Sequence, residues 1–252
     1  MLNKFLLAGT FLMTLPASVL ADEPTHQAWN DLLADYVQVS EDGINRFDYG
    51  GLKANAADRE KLQTYIASFA DLDVEELSDT AQFAAYANAY NALTIEHIVG
   101  RYPVKSIRAG YLVGPWKQVT MVIDGEEVSL DAIEHDILRE EFDDPRVHYA
   151  VNCASYGCPN LQPTAWVAET LDEDLDVAAR AFINHPRGVA IRKRGGLEVS
   201  TIYKWFREDF GGTEAGVIAH FLDYAEPELA TEIKANQKIK KHQYDWSLND
   251  VE

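Results

Sequence analysis

The chain is short of the residues that disordered and repetitive proteins rely on: its 252 residues include 15 Gly and 9 Pro, and no linker, repeat or low-complexity tract gathers them. That excludes a collagen-like, low-complexity or disordered protein. Positive charge is also scarce, with 22 Lys+Arg against 41 Asp+Glu and a formal net charge of -19. A surface of that sign repels phosphate backbones and anionic headgroups, so nucleic acid is not an expected partner. No long apolar run follows the first residues, which argues against stable membrane insertion of the mature chain. What is present is 47% hydrophobic residues, enough for one core in a chain of this length, so a single domain is expected.

The start of the chain has the three parts of a secretory leader: Lys4, an apolar stretch from Phe5 to Leu15, then Pro16, Ala17 and Ser18 before Val19-Leu20-Ala21. The apolar part is shorter than the about 20 residues of a membrane span. The expectation is a leader at 1–21 and a mature domain at 22–252, periplasmic or secreted. Export would bring the two cysteines, Cys153 and Cys158, into an oxidising space, where a disulfide is the default. Gly157 permits the tight reversal such a bridge needs, and Pro159 stops a helix from starting at once.

Amphipathic stretches near His26–Val39 and Asp58–Phe69 read as helices, with Gly50-Gly51 between them. The spacing Asp79-Thr-Ala-Gln82 resembles a capping box and opens a helix expected over 79–99, ahead of Gly100 and Pro103. That helix is apolar nearly all round and is expected at the centre of the protein, so Asn88 and Asn91 fall on a dry face and must find partners. Their amides would either hold neighbouring backbone or face a ligand.

Asp124-Gly125 between Val119–Ile123 and Glu126–Leu130 predicts a two-residue hairpin. Ser129 then caps a helix to about Arg139, with Glu134 inside its apolar arc and His135 at the edge. A carboxylate aimed at the core must pair with a cation or keep its proton. Alternation over Val147–Asn152 predicts a strand with His148 and Asn152 on one face. A helix over Thr164–Ile183, strands at Val189–Arg192 and Leu197–Ser200, an aromatic helix over Ile202–Phe210, one or two more helices and a segment over Lys238–Leu248 complete the chain. Strands and helices do not alternate strictly, so the expected class is α+β, with a mixed or antiparallel sheet packed by several helices.

Five strings stand in order: Tyr86-Ala-Asn88-Ala-Tyr90-Asn91-Ala-Leu, Ser129-Leu-Asp-Ala-Ile-Glu134-His135, Arg146-Val-His148-Tyr-Ala-Val-Asn152-Cys153-Ala-Ser155-Tyr-Gly-Cys158-Pro159, Lys204-Trp205-Phe-Arg-Glu-Asp209-Phe and Tyr244-Asp245-Trp246-Ser-Leu-Asn249. In order and spacing the chain resembles the family catalogued as domain of unknown function 547, which includes exported bacterial proteins and C-terminal parts of some plant proteins. Tyr86 and Ala87 depart from the Trp and Ile that relatives often carry. The resemblance implies which positions to watch, and no activity.

The chemistry-bearing residues in those strings support several readings. A hydrolase or acyl-transfer enzyme would use Cys153 or Ser155 as nucleophile, His148 or His135 as base and Glu134 as orienter, with Asn88, Asn91 and Asn152 on the substrate. Ser155 lacks the Gly-x-Ser-x-Gly elbow, and a bridged Cys153 has no free thiolate. Metal binding by His148, Cys153 and Cys158, with or without His135, is a further reading, although the spacing His-x4-Cys-x4-Cys is not a zinc pattern and no cofactor motif is present. A redox-active disulfide, and a non-catalytic binding or scaffolding domain stapled by its bridge, are the alternatives. The expected partner is a small molecule or peptide. Trp205, Tyr244 and Trp246 would line a groove for it or sit in the core.

Overall fold

A computed structural model describes residues 25–251; the leader expected at 1–21 lies outside the described residues. The frame is helical. Helices α2 (Tyr49–Ala54) and α3 (Ala56–Ala67) pack on the long α4 (Asp79–Arg101), and α1 (Gln27–Tyr36) packs on α2 and α3. Fifteen residues of α4 are buried, among them Phe83, Tyr90, Asn88 and Asn91, so the central helix is in place. Its cap lies one residue earlier than the spacing suggested. Ser78 Oγ accepts the amide of Ala81, and Gln82 turns back to the carbonyl of Leu77. At the other end the helix runs through Gly100 and stops at Arg101, because Pro103 lacks the N–H that another turn would need.

Strands occupy three small sheets among the described residues: β1 (Val37–Gln38) with β2 (Arg46–Phe47), β3 (Thr120–Ile123) with β4 (Glu126–Ser129), and β5 (Val189–Ile191), β6 (Leu197–Ser200) and β7 (Ile239–Gln243). The last sheet is mixed, antiparallel at β5–β6 and parallel at β6–β7. The class is α+β, with the strands spread over these sheets. The hairpin β3–β4 turns at Asp124 and Gly125, both with positive φ (50° and 74°), as a type I′ turn requires.

After β4 the chain winds as α5 (Leu130–Ala132), a wide π-helical segment (Ile133–Leu138) and α6 (Arg139–Phe142). Such segments concentrate at functional sites. The strand expected at Val147–Asn152 is instead a short helix, α7 (Val147–Ala150), followed by extended chain. Asp144 and Pro145 explain the difference: Asp144 Oδ1 accepts the amide of Arg146, and the carbonyls of Asp144 and Pro145 accept the amides of Val147 and His148. All four residues of α7 are buried, so their alternation carries no information about faces. The helix expected over Thr164–Ile183 is α8 (Leu171–Ile183) alone; residues ahead of it are irregular where Asn88 holds the backbone of Trp166. The chain ends with α9 (Ile202–Trp205), a 3-10 turn (Arg207–Phe210), α10 (Glu214–Tyr224), α11 (Pro227–Ala235) and β7. No helix among the described residues is long and apolar enough to cross a membrane.

Candidate functional site

Two buried amides on α4 set the site's foundation. Asn88 donates to the carbonyl of Trp166 at 2.8 Å and accepts the same residue's amide at 3.0 Å. Asn91, one turn on, donates to the carbonyl of Ala150 at 2.9 Å and accepts the amide of Asn152 at 2.8 Å. Each side chain therefore replaces a missing secondary-structure partner for a segment that has none. Asn152 repeats the device across the cysteine loop, donating to the carbonyl of Pro159 and accepting the amide of Ala154. None of the three borders the cavity lined by Cys153, Glu134 and His148; they hold the backbone that does.

Cys153 and Cys158 are bridged. Gly157 is needed for closeness, because a Cβ there would lie 2.7 Å from the amide nitrogen of Asp245. Tyr156 and Gly157 donate to the carbonyls of Ser247 and Asp245, and Arg187 donates to those of Tyr156 and Cys158. The loop is thus tied to two other segments besides its own bridge. The Tyr244 hydroxyl lies 3.1 Å from each sulfur and 2.8 Å from Ser155 Oγ. Burial raises the Tyr244 phenol above its ordinary value, so it remains a hydrogen-bond donor. Ser155 is 1% exposed, and its partners are Tyr244 and the sulfurs. No imidazole activates it.

Both sulfurs border a cavity of about 200 Å³ that also reaches Glu134, His135 and His148. That volume equals about seven water molecules at about 30 Å³ each, so these groups share a small space. Glu134 comes from the π-helical segment and is 8% exposed. Its Oε2 accepts the Tyr90 hydroxyl at 2.9 Å. Burial and the adjacent charge of Glu134 raise the Tyr90 phenol well above its ordinary value, so Tyr90 is the donor. The cation a buried carboxylate would ordinarily recruit is absent: among the described residues no Lys or Arg forms an ion pair with Glu134. Arg139 senses its charge but forks onto Asp209, with nitrogen–oxygen distances of 2.6 and 2.7 Å.

Asp209 stands in one of the five strings, but no local pattern marks it as a site residue. It accepts His148 Nε2 at 2.6 Å. Burial by itself would raise the Asp209 carboxyl, but hydrogen bonds from Arg139 and His148 outweigh it and hold the group below the ordinary carboxylate range. An ionised Asp209 can only accept, so His148 Nε2 carries a proton and Nδ1 is the nitrogen left to exchange one. The imidazole is fixed by stacking on Phe206, with centroids 4.1 Å apart. His135 is placed differently. Arg139 donates to its Nδ1 at 3.1 Å, and Arg has only donors, so the His135 proton lies on Nε2, toward Asp131 at 3.9 Å.

The remaining wall is aromatic, built from Trp116, Trp205, Phe206, Tyr244 and Trp246. Trp205, Tyr244 and Trp246 touch pairwise, with centroids 4.5 to 5.6 Å apart, and Trp116 meets Trp246 at 5.8 Å. Gly114, at φ +101°, lets the Trp116 ring fold back over the chain where any Cβ would overlap it. Among the described residues no group of three or more His, Cys, Asp or Glu is placed to hold a metal ion.

Residues 74–183 match the model of a family described as Protein of unknown function, DUF547. Over that stretch the chain is similar to this family. The DUF547 segment supplies Tyr90, Trp116, Glu134, His135, His148 and both cysteines. Trp205, Tyr244 and Trp246, which complete the same cavity, and Asp209, which holds His148, come from the chain beyond it. No curated protein and no solved structure matches the chain.

Proposed function

We propose that this cleft is an acyl-transfer or hydrolytic site whose nucleophile is Cys153, with His148 as general base and Asp209 as its orienter. The observation that carries the reading is the His148–Asp209 hydrogen bond of 2.6 Å, formed by a histidine that borders the same small cavity as Cys153. Nucleophile, base and orienting carboxylate are the parts such chemistry needs. Glu134 takes no part as orienter, because its carboxylate serves Tyr90. Cys153 is the more exposed of the two cysteines.

The bridged form is the resting state in this reading. A dithiol reductant supplies two electrons and two protons, leaving two protein thiols and an oxidised dithiol. Cys153 then passes its proton to His148 Nδ1. The thiolate attacks the carbonyl carbon of an ester, thioester or amide. A carbon–sulfur bond forms, and the leaving group departs with the proton from His148. Water or an amine next attacks the thioester, giving the product and restoring the thiol. The N-terminal leader pattern supports a periplasmic or secreted setting, where the bridge would persist until reduced.

The test is alkylation by iodoacetamide and turnover of p-nitrophenyl esters, each measured on bridged and on reduced protein. Reduced protein should alkylate with a thiolate titration below the ordinary value of about 8.5 and turn over ester. His148→Ala and Asp209→Asn should each lower ester turnover by at least about 100-fold and return the titration toward that value. An ordinary thiol titration together with no ester turnover would overturn the reading. Thiol–disulfide exchange is the second reading, favoured by the bridge itself bordering the cavity. Catalysed reduction of a small disulfide that survives Asp209→Asn would select it.

A further inference from the structure

The cavity wall is unusual in what it pairs. Two carboxylates, Asp131 and Glu134, border it with two imidazoles, while its lining contains no Lys or Arg. Asp131 has Lys117 at 3.4 Å, a side chain 82% exposed, whereas Glu134 is more than nine-tenths buried and, among the described residues, is hydrogen-bonded by the neutral Tyr90 hydroxyl and ion-paired with no Lys or Arg. The same lining holds electron-rich rings in mutual contact. The protein's own cations already use rings of this wall: the guanidinium of Arg108 lies 4.9 Å from the Trp246 centroid, and that of Arg139 5.0 Å from Phe206. Neither Arg borders the cavity itself.

We infer that the cleft binds an organic ammonium group, held against the aromatic wall by cation–π attraction and neutralised by Glu134. A buried carboxylate without a cation is costly, and a ligand cation relieves that cost. An anionic ligand would face two carboxylates and no guanidinium, within a chain of net charge -19. The cavity of about 200 Å³ accommodates a compact head group such as a lysine terminus, a polyamine end or a trimethylammonium, with the rest of the molecule outside. Where the bound amine is also a reactant, as acceptor of the acyl group, the inference rests on the acyl-transfer reading; the binding itself does not.

The experiment is therefore done on the bridged protein, which has no free thiol and cannot transfer an acyl group. Three of the five tryptophans border the cavity, so intrinsic fluorescence reports on its contents. Choline and n-butylammonium should quench it saturably. Their neutral counterparts, 3,3-dimethylbutanol and butanol, should bind at least tenfold more weakly. Glu134→Gln should weaken the ammonium probes at least tenfold while leaving the alcohols unchanged. Trp205→Leu, at a side chain that is 47% exposed and so replaceable without loss of the core, should weaken them about threefold or more. Equal affinity for ammonium and neutral probes on the unmodified protein, which needs no variant to fold, would overturn the inference, as would an affinity unmoved by Glu134→Gln. An ordinary thiol titration and no ester turnover by the reduced, unmodified protein, with ammonium binding intact, would sink the acyl-transfer reading and leave this one standing.

Discussion

Opening the Cys153–Cys158 bridge with a non-metal reductant returns to the unfolded chain the freedom removed by a closure across five positions. The loop-entropy relation puts that at about 2 kcal/mol at 25 °C. The folded loop should hardly notice. Asn152 still spans it with two side-chain hydrogen bonds, Ser247 and Asp245 still accept its amides, and Arg187 still binds two of its carbonyls. Urea unfolding followed by tryptophan fluorescence, with and without reductant, measures the difference. At a slope of about 3 kcal/mol per molar, a reasonable value for this size, the midpoint should fall by roughly 0.7 M. The near-ultraviolet circular dichroism of the aromatic wall should persist in the reduced native state. A midpoint drop of more than about 2 M, or loss of that signal on reduction alone, would mean that the bridge rather than the network holds the loop. A nucleophile released inside a folded cleft would then be untenable.

Two further outcomes follow from the same geometry. Asn91→Ala should destabilise the fold by about 2 to 4 kcal/mol in urea titrations, since it strands the buried amide of Asn152 and loses a second bond; the carbonyl of Ala150 keeps the Trp166 indole as donor. A cost below 1 kcal/mol would show that Asn91 does not hold the cysteine segment. Stability should also fall with acid. Burial lowers His26 and His220 to about 4, and each lies in hydrogen-bond contact with a tyrosine hydroxyl, Tyr65 and Tyr149, at 2.7 Å. Unfolded histidine titrates near 6.5, so the unfolded chain binds more protons below that pH. The contribution is complete above about pH 6.5 and is lost as pH falls through about 4, amounting to about 3 kcal/mol for each histidine. His26→Gln and His220→Gln should each flatten that slope in midpoint-against-pH curves; an unchanged slope refutes the assignment.

Much of the fold was legible because it rests on local rules. Asp124-Gly125 gave the hairpin through the positive φ its turn demands, and the apolar run of α4 made it the central helix. The same run put Asn88 and Asn91 in a dry interior, where a polar side chain must bind something. What they bind was not legible, because Trp166 and Ala150 lie 78 and 59 residues away. Alternation misled at Val147–Asn152, since every residue of a fully buried single turn is apolar-facing whatever its parity. Ser155 looked like a nucleophile by type and proved to be a buried partner of Tyr244.

The sequence by itself determined the helical centre, the hairpin, the short span between the two cysteines and the inward aim of Glu134, all consequences of spacing within a few turns. Tertiary structure alone decided that His148 meets Asp209 across 61 positions, and that rings from the middle and the end of the chain close over the bridge. Such meetings depend on how buried surfaces dock, and no local period encodes which distant side chain will arrive.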